Sequence, residues 1–275
     1  MPDARAERFI LRFDRFHRLT HICLMTSFLG LAATGMPLLF ASEPWAPLLS
    51  RAFGGFQRAG AFHRVFAVLM IGTFLAHVGR VVYRVYVRKE LNLLWGPDSM
   101  VPQPRDVVEM YQHFRWFVGR GARPRFGHFT YWEKFDYWAV FWGMLIIGGS
   151  GLLLWFPTFF SLALPGWVFN VAFLIHGEEA LLAVGFIFTI HFFNGHLRPE
   201  KFPMDLVIFT GRVSEHDLAD ERRGEMESLR RSGRLMRVQA GPPSPRSVLI
   251  GRIVGTAAVA TGLLIVGLIV YAVVL

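Results

Sequence analysis

Five long apolar stretches constrain this chain more than any other feature. They run at about Thr20–Phe40, Ala61–Val87, Tyr137–Phe156, Trp167–Phe193 and Val248–Leu275. Each is long enough to cross a hydrocarbon core about 30 Å thick, which takes about 20 apolar residues as a helix. Hydrocarbon offers no partner to a backbone N–H or C=O, so a spanning segment must satisfy its own hydrogen bonds, as a helix does. The expected fold class is therefore an all-α integral membrane protein, a transmembrane bundle with about five spanning helices. The first stretch follows an Arg-rich segment with no small-residue cleavage site behind it, and is expected to be a retained helix rather than a signal peptide. The fifth carries no His and no acid and reads as an anchor or packing helix.

Charge orients the bundle. The net charge is +9, and in a soluble chain that would point to nucleic acid. Here the basic residues sit in the links between apolar stretches. Arg5, Arg8, Arg12, Arg15 and Arg18 precede the first stretch, and ten Lys or Arg lie in each of the segments Arg80–Lys134 and Arg198–Arg246. The link between the first two stretches has only Arg51 and Arg58, and Pro157–Gly166 has none. The positive-inside rule places the N-terminus and both long polar links in the cytoplasm and the C-terminus outside. Membrane lipids are thus the expected partner, and nucleic acid is not. Residues 210–247 are expected to form a helical hairpin or a mobile segment.

A single cysteine, Cys23, excludes an internal disulfide, a cysteine-held iron–sulfur cluster and a CxxCH haem attachment within this chain. Any metal must be held by other side chains, and the histidines are arranged to do so. His63 and His77 lie fourteen residues apart in the second stretch, and His176 and His191 fifteen apart in the fourth. On a helix these spacings cover roughly 21–23 Å and return to nearly the same face. Ionisable side chains in a membrane span are costly and usually functional. Both stretches run inward, so His63 and His176 are outer and His77 and His191 inner. Facing pairs His63–His176 and His77–His191 would make two bis-histidine haem sites stacked across the membrane, with His63, His176, His77 and His191 as iron ligands.

Further candidates cluster at the inner edge. His17 and His21 are four residues apart, on one helix face, and His21 is a fifth candidate iron ligand. His196 follows the fourth stretch. Arg64, Arg18, Arg80 and Arg198 are candidates to neutralise haem propionates. His17, Asn194, His196 and Lys201 are candidates for binding quinone or relaying protons. Gly72 and Gly185 sit near the middle of each histidine pair and would let either a porphyrin edge or a neighbouring helix approach. Glu178 and Glu179 follow His176 at the outer edge. Trp132, Trp138, Trp142, Trp155 and Trp167 read as interface belts.

The motif Arg18-x-x-His21 before a helix ending in Thr-Gly, the run Phe62-His63-Arg64, and the pair His176 and His191 resemble the membrane cytochrome b subunits of respiratory formate dehydrogenases and nickel–iron hydrogenases. The run from His191 to Asp205, His-Phe-Phe-Asn-Gly-His-Leu-Arg-Pro-Glu-Lys-Phe-Pro-Met-Asp, resembles a branch that works with multihaem cytochromes c. The resemblance covers about Arg8–Asp205. It implies an outer haem held by His63 and His176 and an inner haem held by His21 and His191. His77 departs from the pattern, and the facing-pair geometry favours it over His21 as the partner of His191. Both alternatives stand at this point, as does a third haem.

The expected organisation is a four-helix cytochrome b core over residues 1–205, a polar cytoplasmic link over 206–247 and a last helix over 248–275. The expected function is transmembrane electron transfer by a di-haem or tri-haem b-type cytochrome in the bacterial cytoplasmic (inner) membrane. It would join the quinone pool, menaquinone or ubiquinone, to a periplasmic multihaem cytochrome c or an iron–sulfur dehydrogenase subunit. The chain would be the electron-transfer and quinone-reactive subunit of a larger oxidoreductase. Rival readings are a membrane subunit of a ferric or sulfur-compound reductase, and a non-catalytic haem-transport protein or anchor. No GxGxxG unit is present to supply a nucleotide site for a self-contained reductase.

Overall fold

The computed structural model describes residues 7–274, so Arg5 and Leu275 lie outside the described residues. In chain order its main helices are α1 (Arg15–Leu39), α2 (Phe56–Val87), α3 (Pro104–Phe117), α4 (Tyr131–Trp155), α5 (Trp167–Leu197), α6 (Glu215–Glu221), α7 (Arg223–Arg231) and α8 (Pro245–Val274). Five of them, α1, α2, α4, α5 and α8, are long and apolar enough to cross a membrane. These are the five spans expected from the sequence, most of them extended by a turn at one end. The pattern is that of a multi-pass, mainly helical membrane protein.

Local chemistry sets the helix starts. The Asp14 carboxylate accepts the backbone N–H of His17 at 2.9 Å and caps α1. Gln103 and Asp106 form a reciprocal box at the start of α3, with Pro104 in the first turn where its missing N–H costs nothing. Thr130 and Glu133 do the same at α4. Pro245 opens α8. Four π turns interrupt the long helices, at Tyr83–Val87, Met144–Gly148, Ile187–His191 and Phe193–Leu197. Such turns shift the hydrogen-bond ladder and recur at functional sites.

The chain forms two compact units. The first comprises residues 1–18, 78–139 and 206–251. It contains a small antiparallel sheet in the order β2-β1-β3, with β1 (Phe9–Leu11) central, β2 (Arg212–Ser214) and β3 (Gln239–Ala240). Ile10 pairs with Val213 and Gln239, and packs with Leu218, Met226 and Leu229 in a buried core. Gly211 turns the chain into β2 at φ 77°, and a Cβ there would lie 2.6 Å from the Phe13 carbonyl oxygen. Residues 210–247, expected as a helical hairpin or a mobile segment, hold the short helices α6 and α7, a helical turn at Leu235–Val238 and two strands.

Buried ion pairs complete this unit. Arg12 bonds Glu225 at 2.6 Å, His128 bonds the other Glu225 oxygen, and Arg222 bonds Glu133 at 2.7 Å. Burial opposes ionisation of Glu225, but the Arg12 and His128 charges outweigh it and hold its pKa below the usual carboxylate value. Burial raises the pKa of Glu109.

The second unit comprises residues 19–77, 140–205 and 252–275. Its core joins Ala32 and Met36 of α1, Val184, Phe188 and Phe192 of α5, and Ile265 of α8. Small residues bring the helices together, as is usual where lipid removes the hydrophobic drive. A Cβ on Gly262 of α8 would lie 2.6 Å from the Phe192 ring, and one on Gly30 of α1 2.5 Å from the Phe66 ring of α2. The fifth span is therefore a packing helix in this unit.

Candidate functional site

The second unit brings His63 of α2 and His176 of α5 together, edge to face. Their ring centres are 6.2 Å apart and their planes cross at 73°. Each imidazole is held from behind by a neighbouring helix, in the same way. The His63 imidazole hydrogen-bonds the Leu31 backbone of α1, and its Nδ1 lies 3.1 Å from the Thr34 hydroxyl. Nδ1 of His176 is 3.0 Å from the Ile147 carbonyl of α4 and 3.2 Å from the Ser150 hydroxyl. Ile147 lies in the Met144–Gly148 π turn.

These contacts fix the tautomers. The single hydroxyl proton of Thr34 is directed at the Gly30 carbonyl at 2.6 Å, and that of Ser150 at the Ile146 carbonyl at 2.6 Å. Each hydroxyl oxygen can then only accept from the imidazole, and a carbonyl can only accept. The Ile147 carbonyl can only accept, so Nδ1 of His176 carries the proton, and Nδ1 of His63 does the same while the Thr34 proton stays on the Gly30 carbonyl; this leaves the lone pair on Nε2. That is the form in which histidine binds a metal, its other nitrogen donating to a carbonyl or hydroxyl.

Glycine lets each ring sit this close. A Cβ on Gly35 would lie 3.0 Å from Cε1 and 3.4 Å from Nδ1 of His63. A Cβ on Gly151 would lie at the same two distances from the same atoms of His176. The two cradles therefore share one pattern, a carbonyl, then a hydroxyl three residues on, then glycine: Leu31, Thr34, Gly35 and Ile147, Ser150, Gly151. Sequence inspection finds no internal repeat, because only two short residue pairs, Thr34-Gly35 and Ser150-Gly151, carry it. Thr34-Gly35 enters the sequence argument only as the end of a motif, and Ser150-Gly151 not at all.

A second group forms around His21 of α1, which interacts electrostatically with His191 and His196 of α5. Among the described residues, Nδ1 of His21 and Nδ1 of His196 are buried with no hydrogen-bond partner. A buried polar atom left unmade costs about 1–3 kcal/mol, and a ligand that accepts the nitrogen lone pair removes that cost. His191 ends one π turn and His196 lies in the next. The Phe192 ring lies between them along the helix, 6.4 Å from His191 and 5.9 Å from His196 by ring centres. His77 is partly buried, fourteen residues beyond His63 on α2.

The remaining candidates are distributed as follows. Arg64 lies over the Trp155 indole, 5.7 Å from its centroid. Lys201 pairs with Asp205 at 2.9 Å, just past α5, and Asn194 and Arg198 are partly buried there. In the first unit, Arg18 donates to the Phe209 carbonyl at 2.9 Å, and Arg80 pairs with Asp14 and covers the Phe16 ring at 4.2 Å. His17 bonds Asp14 at 2.9 Å. Partial burial disfavours the Asp14 carboxylate, yet His17 and Arg80 hold its pKa below the ordinary value. Trp142 donates to Glu179 at 3.2 Å, and Glu178 is exposed. A Cβ on Gly72 or Gly185 would meet no heavy atom within 4 Å, so neither packs tightly against a helix.

Among the described residues no three His, Cys, Asp or Glu side chains gather as a metal-ligand group; the donor sets are paired imidazoles. Compared with models of protein families and with characterised proteins, the chain matches none.

Proposed function

We propose that the chain is a transmembrane electron carrier of the b-type cytochrome kind, binding haem between His63 and His176 and between His21 and His191. The observation that carries this reading is the His63–His176 pair. A bond from a metal ion to an imidazole nitrogen is about 2 Å, so two imidazoles sharing one ion have ring centres about 6 Å apart. The separation of 6.2 Å fits. The Nε2 lone pair of His176 is available, because its Nδ1 donates to the Ile147 carbonyl, and Nδ1 of His63 is engaged in the same way by the Thr34 hydroxyl. A haem iron, already held by four porphyrin nitrogens, needs only two protein ligands, so no third donor is required. The open faces of Gly72 and Gly185 suit a flat macrocycle beside the helices.

Haem with two histidine ligands supplies one-electron transfer and leaves no iron position for binding oxygen. The protein's own work is to hold the imidazoles and set their basicity through Leu31, Thr34, Ile147 and Ser150. His21 is taken as the partner of His191 on its electrostatic proximity and on a buried nitrogen that has no hydrogen-bond partner among the described residues. The resemblance to formate dehydrogenase and hydrogenase cytochrome b subunits supports the same pairing. It also supports a bacterial inner-membrane location, exchange with the quinone pool, and a periplasmic multihaem cytochrome c or iron–sulfur subunit as partner. Under that orientation His63–His176 is the outer site. His196, Asn194 and Lys201 lie close together along the chain beyond the inner ligand, where a quinone would exchange electrons and protons.

The test is the haem content of purified single variants. His63→Ala and His176→Ala should each lower the content by one haem and leave the other site's spectrum intact. Unchanged content in both variants would refute the assignment.

A further inference from the structure

The link between α2 and α4 reads as polar, yet the structure places on it a helix with one side exposed and apolar. We propose that α3 lies in the membrane interface as an amphipathic helix, its exposed side sunk among anionic lipid head groups and the upper acyl chains. Val107, Tyr111, Phe114 and Val118 recur at intervals of three and four residues, and all are exposed, Phe114 at 69%. Met110 and Phe117 widen the same side and are exposed too.

The opposite side is tied down. Asp106 is buried and forms a salt bridge at 2.8 Å with Lys134, which is itself 1% exposed. His113 is buried, 3.1 Å by Nδ1 from the Tyr131 hydroxyl, with its ring stacked on Trp132. Lys134, Tyr131 and Trp132 all belong to the first turn of α4, a membrane-crossing helix. A third tie joins Trp138 of α4 to the Met100 carbonyl just ahead of α3. Two side chains of α3 therefore hold it to the point where α4 begins its crossing, where Phe135 and Trp138 of α4 are exposed too.

Charge selects the occupant. The acids of α3, Asp106 and Glu109, are partly or fully buried. Of the cations on and after it, Arg115 and Arg120 are exposed, Arg125 is exposed and pairs with Glu227 at 3.4 Å, and Arg105 and Arg123 are partly buried. Arg115 lies over the Tyr111 ring at 5.9 Å and donates to the Arg120 carbonyl. An apolar side flanked by arginines whose stems lie along the surface is the pattern of a helix resting on an anionic bilayer. This inference needs only the membrane-crossing helices and is independent of haem.

The experiment uses the full chain with Cys23→Ala, reconstituted in vesicles of phosphatidylcholine and phosphatidylglycerol. Nitroxide labels are placed singly by Phe114→Cys, Val118→Cys and Gln112→Cys, and their relaxation by oxygen and by a water-soluble nickel chelate is compared. Labels at 114 and 118 should relax severalfold more with oxygen than with nickel, and the label at 112 should show the reverse. All three positions are exposed, so folding should tolerate the labels. Nickel preference at both 114 and 118 would place the face in water. Poor access by both reagents would mean that protein covers it, a second copy or another chain. Either result overturns the proposal.

Discussion

His63 and His176 show how little is needed to prepare an imidazole for a metal. One carbonyl and one hydroxyl take the Nδ1 proton, and one glycine makes room for the ring. The glycines should therefore be intolerant. Gly35→Ala or Gly151→Ala puts a methyl group 3.0 Å from the imidazole, an overpacking of about 1–3 kcal/mol. Relief would come by tilting the ligand, so each variant should lose haem from this site while the His21–His191 site keeps its own, as read by haem content and spectrum. The hydroxyls should act more gently. Thr34→Val and Ser150→Ala each remove one of two acceptors from an imidazole N–H, and loss of such a support costs about 10- to 100-fold in metal affinity. A weaker donor favours the reduced iron, so the midpoint potential of this site should rise, and Thr34→Ser should restore it. Redox titration checks this. At the other site, His21→Ala should abolish one haem and His77→Ala should not. The histidines themselves were legible in the sequence because ionisable residues stand out in an apolar run. Their cradles were not, because Thr, Ser and Gly in a membrane helix usually mean close packing, and nothing in one sequence says which carbonyl a histidine will meet.

At the scale of elements, the five spans were legible almost to the turn, since length and hydropathy alone require helices in lipid. The strand Phe9–Leu11 was not, because three residues set no detectable alternation and its partners lie some two hundred residues away. What makes that strand worth forming is the core around Ile10 and the buried pair Arg12–Glu225 beside it. Removing one partner of a buried pair leaves an uncompensated charge, so Glu225→Ala should destabilise this unit by about 3–5 kcal/mol. The Glu225 pKa lies below its unfolded value of about 4.3. Its stabilisation is therefore complete above that value and lost as pH falls through the folded pKa. Hydrogen-exchange protection of the Phe9–Leu11 amides should hold from pH 8 to about pH 5 and fall below about pH 4. Glu225→Gln should remove the part of that acid loss that belongs to this residue. The amphipathic character of α3 was hidden in the same way as the strand. Its apolar residues are diluted by Arg, Gln, Glu and His, and only burial of Asp106 and His113 reveals which side is turned inward.

The whole molecule joins a five-span bundle, legible from hydropathy, to paired histidines that suit a haem. The spans follow from the physics of the bilayer, the His63–His176 pair from geometry, and the respiratory partners from resemblance. Carrying electrons across a membrane requires redox centres at more than one depth, and the fifteen residues between His176 and His191 on α5 would set two such depths. The most direct test of the central claim is the number of haems per polypeptide, measured by pyridine haemochrome against protein mass on the detergent-purified, folded chain. The account predicts two haems b. A folded chain that purifies without haem would contradict it.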